Sequence, residues 1–170
     1  MLVSALILAL STADAGCGRL TVVNDPLDGR SLSYHQSFDR HRVTGLTMLH
    51  VKGRWVLRLF VAARGISKRR GDKRQRARFV VGQDVVELSS AGRARPLVGV
   101  RPKTGIYTQW RLDFEISEAR LAEMSRERVS VVGLTIADLE HRFALSRRSG
   151  NQLKEAMVCA MDQVGTIPGR

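Results

Sequence analysis

Apolar and polar positions alternate with a period of two through most of this chain, the pattern of half-buried β-strands. Residues 20–24 form a short β-prone run, and Asp25-Pro26-Leu27-Asp28-Gly29 behind it has the composition of a tight turn. Residues 30–38 resume the alternation with Ser, Tyr and His, and 39–41 read as loop. The clearest hairpin joins residues 43–51 to 54–63 through Lys52-Gly53. On its return strand Trp55, Leu57, Leu59 and Val61 share one face, and Val56, Arg58, Phe60 and Ala62 the other. Both faces are largely apolar, which predicts a central strand. A second hairpin joins 78–81 to 85–88 through Gly82-Gln83-Asp84. Residues 89–105 hold Pro96, Pro102 and several Gly and read as loop, with room for a short strand at 97–100.

The last third changes character. Residues 107–116 alternate, with Trp110, Leu112, Phe114 and Ile116 on one side. Ser117 is a helix N-cap, and 118–126 are helical, burying Leu121, Ala122 and Met124. Residues 129–136 and 140–145 form a strand pair turned by Ala137-Asp138-Leu139. Ser149-Gly150-Asn151 opens a final helix over 152–164. The sum is about eight strands and two short helices. Hairpin connections require antiparallel pairing. The fold class is therefore mainly β (α+β): an antiparallel β-sandwich or curved sheet closed by a C-terminal β-α-β-β-α module. Residues 16–164 form one β-rich domain, and 165–170 a flexible tail.

The first fifteen residues do not fit that domain. Residues 2–10 (LVSALILAL) are apolar but for Ser4, too short to span a bilayer as a helix. Ala13-x-Ala15 follows, the small-x-small pattern of a signal-peptidase site. Residues 1–15 therefore read as a signal peptide without the usual basic start. The expected location is the periplasm or the medium. A lipid-anchored outer-membrane form is the lesser alternative, since Ala15-Gly16 before Cys17 fits a lipoprotein signal and Asp14 does not.

Export bears on the two cysteines, Cys17 and Cys159. In an oxidising compartment an even count favours a bridge, which here encloses nearly the whole domain. Cys159 falls beside the apolar stripe of the final helix, which suits a partner on a peripheral segment. A bridge and an acyl chain on Cys17 exclude each other.

Charge adds a surface character. Lys+Arg number 28 against 16 Asp+Glu, a net +12. Five of the 28 are Lys, which leaves 23 Arg, a share that also fits a GC-rich coding sequence. Residues 67–78 concentrate the cations: Lys68, Arg69, Arg70, Lys73, Arg74, Arg76 and Arg78 stand against Asp72 alone, with no apolar residue larger than Ala. The tract reads as a solvated connection or strand extension and as the candidate anion-binding element. It lacks aromatic platforms for base stacking, and export removes the usual nucleic acids, so no nucleic-acid partner is expected.

Motifs of chemistry are missing. His35, His41, His50 and His141 have no metal-ligand spacing, and neither Cys lies near a His in sequence. There is no GxSxG, P-loop or GxGxxG, and Glu115 and Glu118 fall on different elements. No catalytic residue, metal or cofactor is assigned.

From Trp110 onward the order of strand, helix with Leu121-Ala122-x-Met124, Val129-x-Val131, Phe143-Ala144-Leu145-Ser146 and closing helix resembles small exported Gram-negative proteins grouped with invasion-associated locus B. The resemblance covers residues 106–160. It implies an envelope-associated β-sandwich with no established catalysis. That family often carries a close Cys pair before the helix, where this chain has Tyr107 and Trp110, and no functional residue carries over. The expected function is non-catalytic binding in the envelope. The partner is an anionic envelope component or a protein, with peripheral membrane contact included. A structural accessory of a secreted complex is the alternative, and an enzyme of unknown class is a third. None of these patterns speaks to oligomeric state.

Overall fold

A computed structural model describes residues 17, 20–25, 29–38, 44–65, 75–90, 92, 94–101, 105–136 and 139–165. Residues 1–15, read above as a signal peptide, lie outside them. Ten strands and two helices are present among these residues: β1 (Thr21–Asp25), β2 (Gly29–Ser37), β3 (Gly45–Val51), β4 (Arg54–Arg64), β5 (Arg76–Val81), β6 (Asp84–Ser89), β7 (Arg95–Arg101), β8 (Gly105–Ile116), α1 (Glu118–Met124), β9 (Val129–Ile136), β10 (Leu139–Ala144) and α2 (Arg147–Gly165).

They form two open antiparallel sheets. Sheet A runs β1-β2-β3-β4-β8-β7 and sheet B runs β10-β9-β5-β6. The β3–β4 hairpin turns on Lys52 (φ 51) and Gly53 (φ 74), the paired left-handed conformations of a tight turn that follows the strand twist. β4 lies centrally between β3 and β8, as its two-sided apolar pattern predicts. Its Leu57, Leu59 and Val61 are buried, while Val56, Arg58, Phe60 and Ala62 on the outer face are half-buried. The inner faces of both sheets and the apolar sides of the helices feed one core, centred on Tyr34, Leu57, Phe79, Trp110, Phe114 and Met157.

The C-terminal β-α-β-β-α module is present, and it links the two layers. β8 belongs to sheet A, and β9 and β10 to sheet B. α1 begins at Ser117, whose Oγ accepts the Arg120 N–H. It buries Leu121 and Met124 and leaves Ala122 half-buried. α2 packs on α1, on β9 of one sheet and on β2 of the other. The Gln36 amide donates to the Ser149 carbonyl at 3.0 Å and fastens that last contact.

Three expectations need correction. The helix expected to open at Ser149-Gly150-Asn151 starts at Arg147, because the Ser146 Oγ accepts the Ser149 N–H at 3.1 Å and caps it a turn earlier. It also takes in Gly165, expected in the tail. The region 89–105 is not mainly loop. Arg95–Arg101 pairs with β8 along its length, and β8 itself begins at Gly105. Pro96 is tolerated there because β7 is an edge strand and donates ladder bonds on one side only.

Cys17 and Cys159 form a disulfide, with 5.7 Å between Cα atoms and a sequence separation of 142. It ties the segment ahead of β1 to α2. A loop of that length constrains the unfolded chain by about 4–5 kcal/mol in the chain-entropy account. Among the described residues no helix is long and apolar enough to cross a membrane.

Candidate functional site

Of the seven candidate anion-binding cations, Lys68, Arg69, Arg70, Lys73 and Arg74 lie outside the described residues. The ends of their segment are well anchored. It leaves sheet A at Gly65, whose N–H donates to the Ile106 carbonyl at 2.9 Å. The Gly65 carbonyl accepts from Thr108 Oγ1 at 2.8 Å. It enters sheet B at Gln75, whose N–H donates to Ser90 Oγ at 3.1 Å and whose carbonyl accepts the Ser90 N–H at 2.8 Å. The cation-rich tract is thus the first crossing between the two layers.

Arg76 and Arg78 belong to β5, the strand extension of the tract, and Ala77 between them is fully buried. Both Arg side chains point outward, and both meet Glu87 on β6, at 3.4 Å from Arg76 and 3.0 Å from Arg78. The register places Glu87, Arg78, Gly133 and Arg142 in one row across sheet B. The next row holds Ser89, Arg76, Thr135 and Glu140. Cations and anions alternate on this face, so the described end of the tract is partly neutralised by its own neighbours.

The outer face of sheet A carries a second charged centre. Arg58 donates from Nε to Asp113 Oδ1 at 2.7 Å and from its terminal nitrogen to Oδ2 at 2.8 Å. This hydrogen-bonded pairing holds the Asp113 carboxyl below its usual range and raises Arg58. Beside it His35 Nδ1 lies 2.8 Å from Thr47 Oγ1, with its ring edge-on to Phe60.

A cleft of about 340 Å³ opens at the end of sheet A and is lined by His50, Arg54, Trp55, Glu115, Ser117 and Glu118. The buried His50 ring packs on Trp55 with centroids 4.5 Å apart. Arg54 reaches Glu115 at 3.5 Å, and Ser117 is engaged as the helix cap. Glu115 and Glu118, on different elements, do share this cleft. It gathers one imidazole. His35 is on the outer face of sheet A, His141 is on β10, and His41 lies outside the described residues. Among the described residues no three His, Cys, Asp or Glu are placed to hold a metal ion.

His141 is half-buried beside Trp110 and Phe143, with ring centroids 6.5 and 6.4 Å away. Its buried Nε2 has no hydrogen-bond partner among the described residues. Burial pushes its pKa below the ordinary imidazole value.

Sequence reasoning missed the far end of the β7–β8 hairpin. Val98, Val100 and Ile106 share the face that carries Trp110 further along, yet all three are exposed. The available signal was Leu97-Val98-Gly99-Val100, bracketed by Arg95-Pro96 and Arg101-Pro102. The prolines drew that run into a loop assignment. No protein-family model, curated protein or solved structure matches this chain.

Proposed function

We propose that this chain is an exported, non-catalytic binding protein of a bacterial envelope, acting in the periplasm or outside the cell on an anionic partner. The observation that carries the reading is a cation-rich crossing strung between two sheets of a disulfide-locked β scaffold. The bridge fits an oxidising compartment. A cut after Ala15 leaves Cys17 as the second residue of the mature chain, and it raises the net charge from +12 to +13 by removing Asp14. The order of elements after Trp110, like that of the invasion-associated locus B proteins, agrees with the same reading.

The cations at 68–74 attract polyanions over a distance set by salt, about 8–10 Å at physiological strength. Arg76 and Arg78 hold the exit of the tract on rigid strand. Replacing Arg69, Arg70, Lys73, Arg74 and Arg76 by Gln is expected to weaken retention on heparin and on anionic vesicles at low salt, with thermal stability nearly unchanged. Equal retention of variant and parent removes the reading. Export is tested by the intact mass of protein from the envelope fraction, which reports the cut, any acyl chain and the two-hydrogen loss of the bridge together.

A further inference from the structure

Gly133 stands in the middle of β9, the strand that lies between β10 and β5 in sheet B. A strand interior is a costly place for glycine, which gives up side-chain packing and backbone entropy there. The other strand glycines whose surroundings are described each have a local cause. A Cβ at Gly45 would strike the Gln36 carbonyl, one at Gly99 would meet the Tyr107 ring at 2.6 Å, and Gly105 has a φ of 70°. Gly133 has no such cause. Its φ is not positive, and a Cβ there would find nothing nearer than the Arg78 Cβ and carbonyl oxygen, both at 3.8 Å, an ordinary contact. The fold has room for a side chain that the sequence leaves out.

Hydrogen-bond donors stand on three sides of this hollow. Arg78 on β5 and Arg142 on β10 are both directly opposite Gly133, so they share its face. Two strand spacings, about 9.5 Å, separate their backbones. Along β9 the same face carries Thr135 on one side of the glycine and Val131 on the other. Arg142 and Thr135 are exposed, and neither side chain is bonded to another described residue. Arg78 keeps 61% of its side chain in solvent, and its Nε meets Glu87 on β6, the side away from Gly133. Arg76 meets that same carboxylate. The other acid on the face, Glu140, stands one row away, opposite Thr135. Among the described residues this face thus sets three Arg against two Glu, with Arg142 unengaged.

We propose that the hollow over Gly133 is an oxyanion site, seating one phosphate or sulfate group between Arg142 and Arg78 with the Thr135 hydroxyl as a third donor. The missing side chain lets the anion come down close to the strand, within reach of both guanidinium forks and the hydroxyl. Donors on three sides match the three free oxygens of a tetrahedral ester better than the two of a planar carboxylate. The inference rests on the anionic-partner reading and names the chemistry of the ligand. It uses residues of sheet B alone, so it can fail while the cation-rich tract still binds.

The test is a proton–nitrogen NMR titration of the full chain with its disulfide formed, at ionic strength held constant with chloride. The probes are inorganic phosphate, inorganic sulfate, a heparin tetrasaccharide and, as the planar control, acetate. The amide signals of Gly133 and Thr135 and the Nε–H of Arg142 are expected to shift together and saturate with the first three and not with acetate. G133V is expected to melt at or above the parent temperature, since valine suits a strand and its Cβ fits, and to lose the saturating shifts. R142Q, altered at an exposed and unbonded side chain, is expected to bind at least about tenfold more weakly. Tighter binding of the inorganic ions than of the tetrasaccharide assigns a free ion, and the reverse an ester on a polymer; either result supports the site. Absence of saturation at these three residues, equal saturation by acetate, or undiminished binding by R142Q overturns the inference. So does a G133V that melts like the parent and binds like it. A parent retained on heparin but unresponsive at Gly133 overturns the inference and leaves the wider reading standing. A parent retained on neither heparin nor anionic vesicles and unresponsive at Gly133 overturns both.

Discussion

Arg58 and Asp113 face each other in register across the central strands of sheet A, joined by two parallel hydrogen bonds of 2.7 and 2.8 Å. The guanidinium fork fits the carboxylate edge to edge on a rigid sheet, so little side-chain freedom remains to be lost. The pair is part-exposed, at 27% and 37%, which keeps its contribution near the upper end of the surface range, about 1 kcal/mol. Asp113→Asn is expected to lower the unfolding free energy by that amount, read as a lower urea midpoint at an unchanged denaturant slope. The carboxyl titrates below its usual value when folded. Its contribution is therefore complete above the unfolded value of about 3.9 and fades as pH falls through the folded one. The gap between parent and D113N should close in acid. A gap that persists undiminished at low pH contradicts the ion-pair account.

His141 gives a pH dependence at the neutral end. Its pKa falls on folding because burial disfavours the charged ring. A base of that kind binds fewer protons folded than unfolded. Stability is thus complete above the unfolded value of about 6.5 and declines as pH drops below it. His141→Phe, which keeps the packing on Trp110 and Phe143, should flatten the decline in urea midpoint between neutral pH and about pH 5. Parallel curves for variant and parent would place the titration elsewhere.

The disulfide closes a loop of 142 residues in sequence separation. Cys17→Ser with Cys159→Ser is expected to lower the melting temperature by about 10–15 °C, taking ~4–5 kcal/mol at 2–4 °C per kcal/mol for a chain of this size. Scanning calorimetry of the oxidised parent, the reduced parent and the double variant should give agreement between the last two.

Gly150 lies in the first turn of α2, where Ala would ordinarily favour the helix by about 1 kcal/mol. Here a Cβ would run into the Val129 carbonyl and the Arg128 side chain. Gly150→Ala should therefore destabilise by about 1–3 kcal/mol. A variant that melts above the parent shows that the contact between α2 and β9 yields.

Much of this architecture was legible where the signal was local. Lys52-Gly53 marks a two-residue turn and Gly82-Gln83-Asp84 a turn that closes one residue sooner than read, with Asp84 already paired to Val81, and period-two runs on both sides fix their strands. β4 read as central because both its faces are apolar. The two cysteines read as one bridge because no other cysteine competes. The division into sheets was not legible, since β5 pairs with β9 some fifty residues onward and periodicity carries no address for a distant partner. β7 was obscured by Pro96, which argues against a strand everywhere except at an edge. The exposed apolar hairpin end was missed for the same reason.

Sheet B has a consequence in time. Its β5–β6 hairpin is complete at Ser89, but the next partner, β9, begins only at Val129, after the chain has gone back to finish sheet A. Two strands alone are marginal in water. A polypeptide emerging from its amino end therefore has half a molecule waiting, and nothing durable can lock until the final quarter has appeared. Delayed closure of that kind, with distant strands meeting late, makes a slow folder.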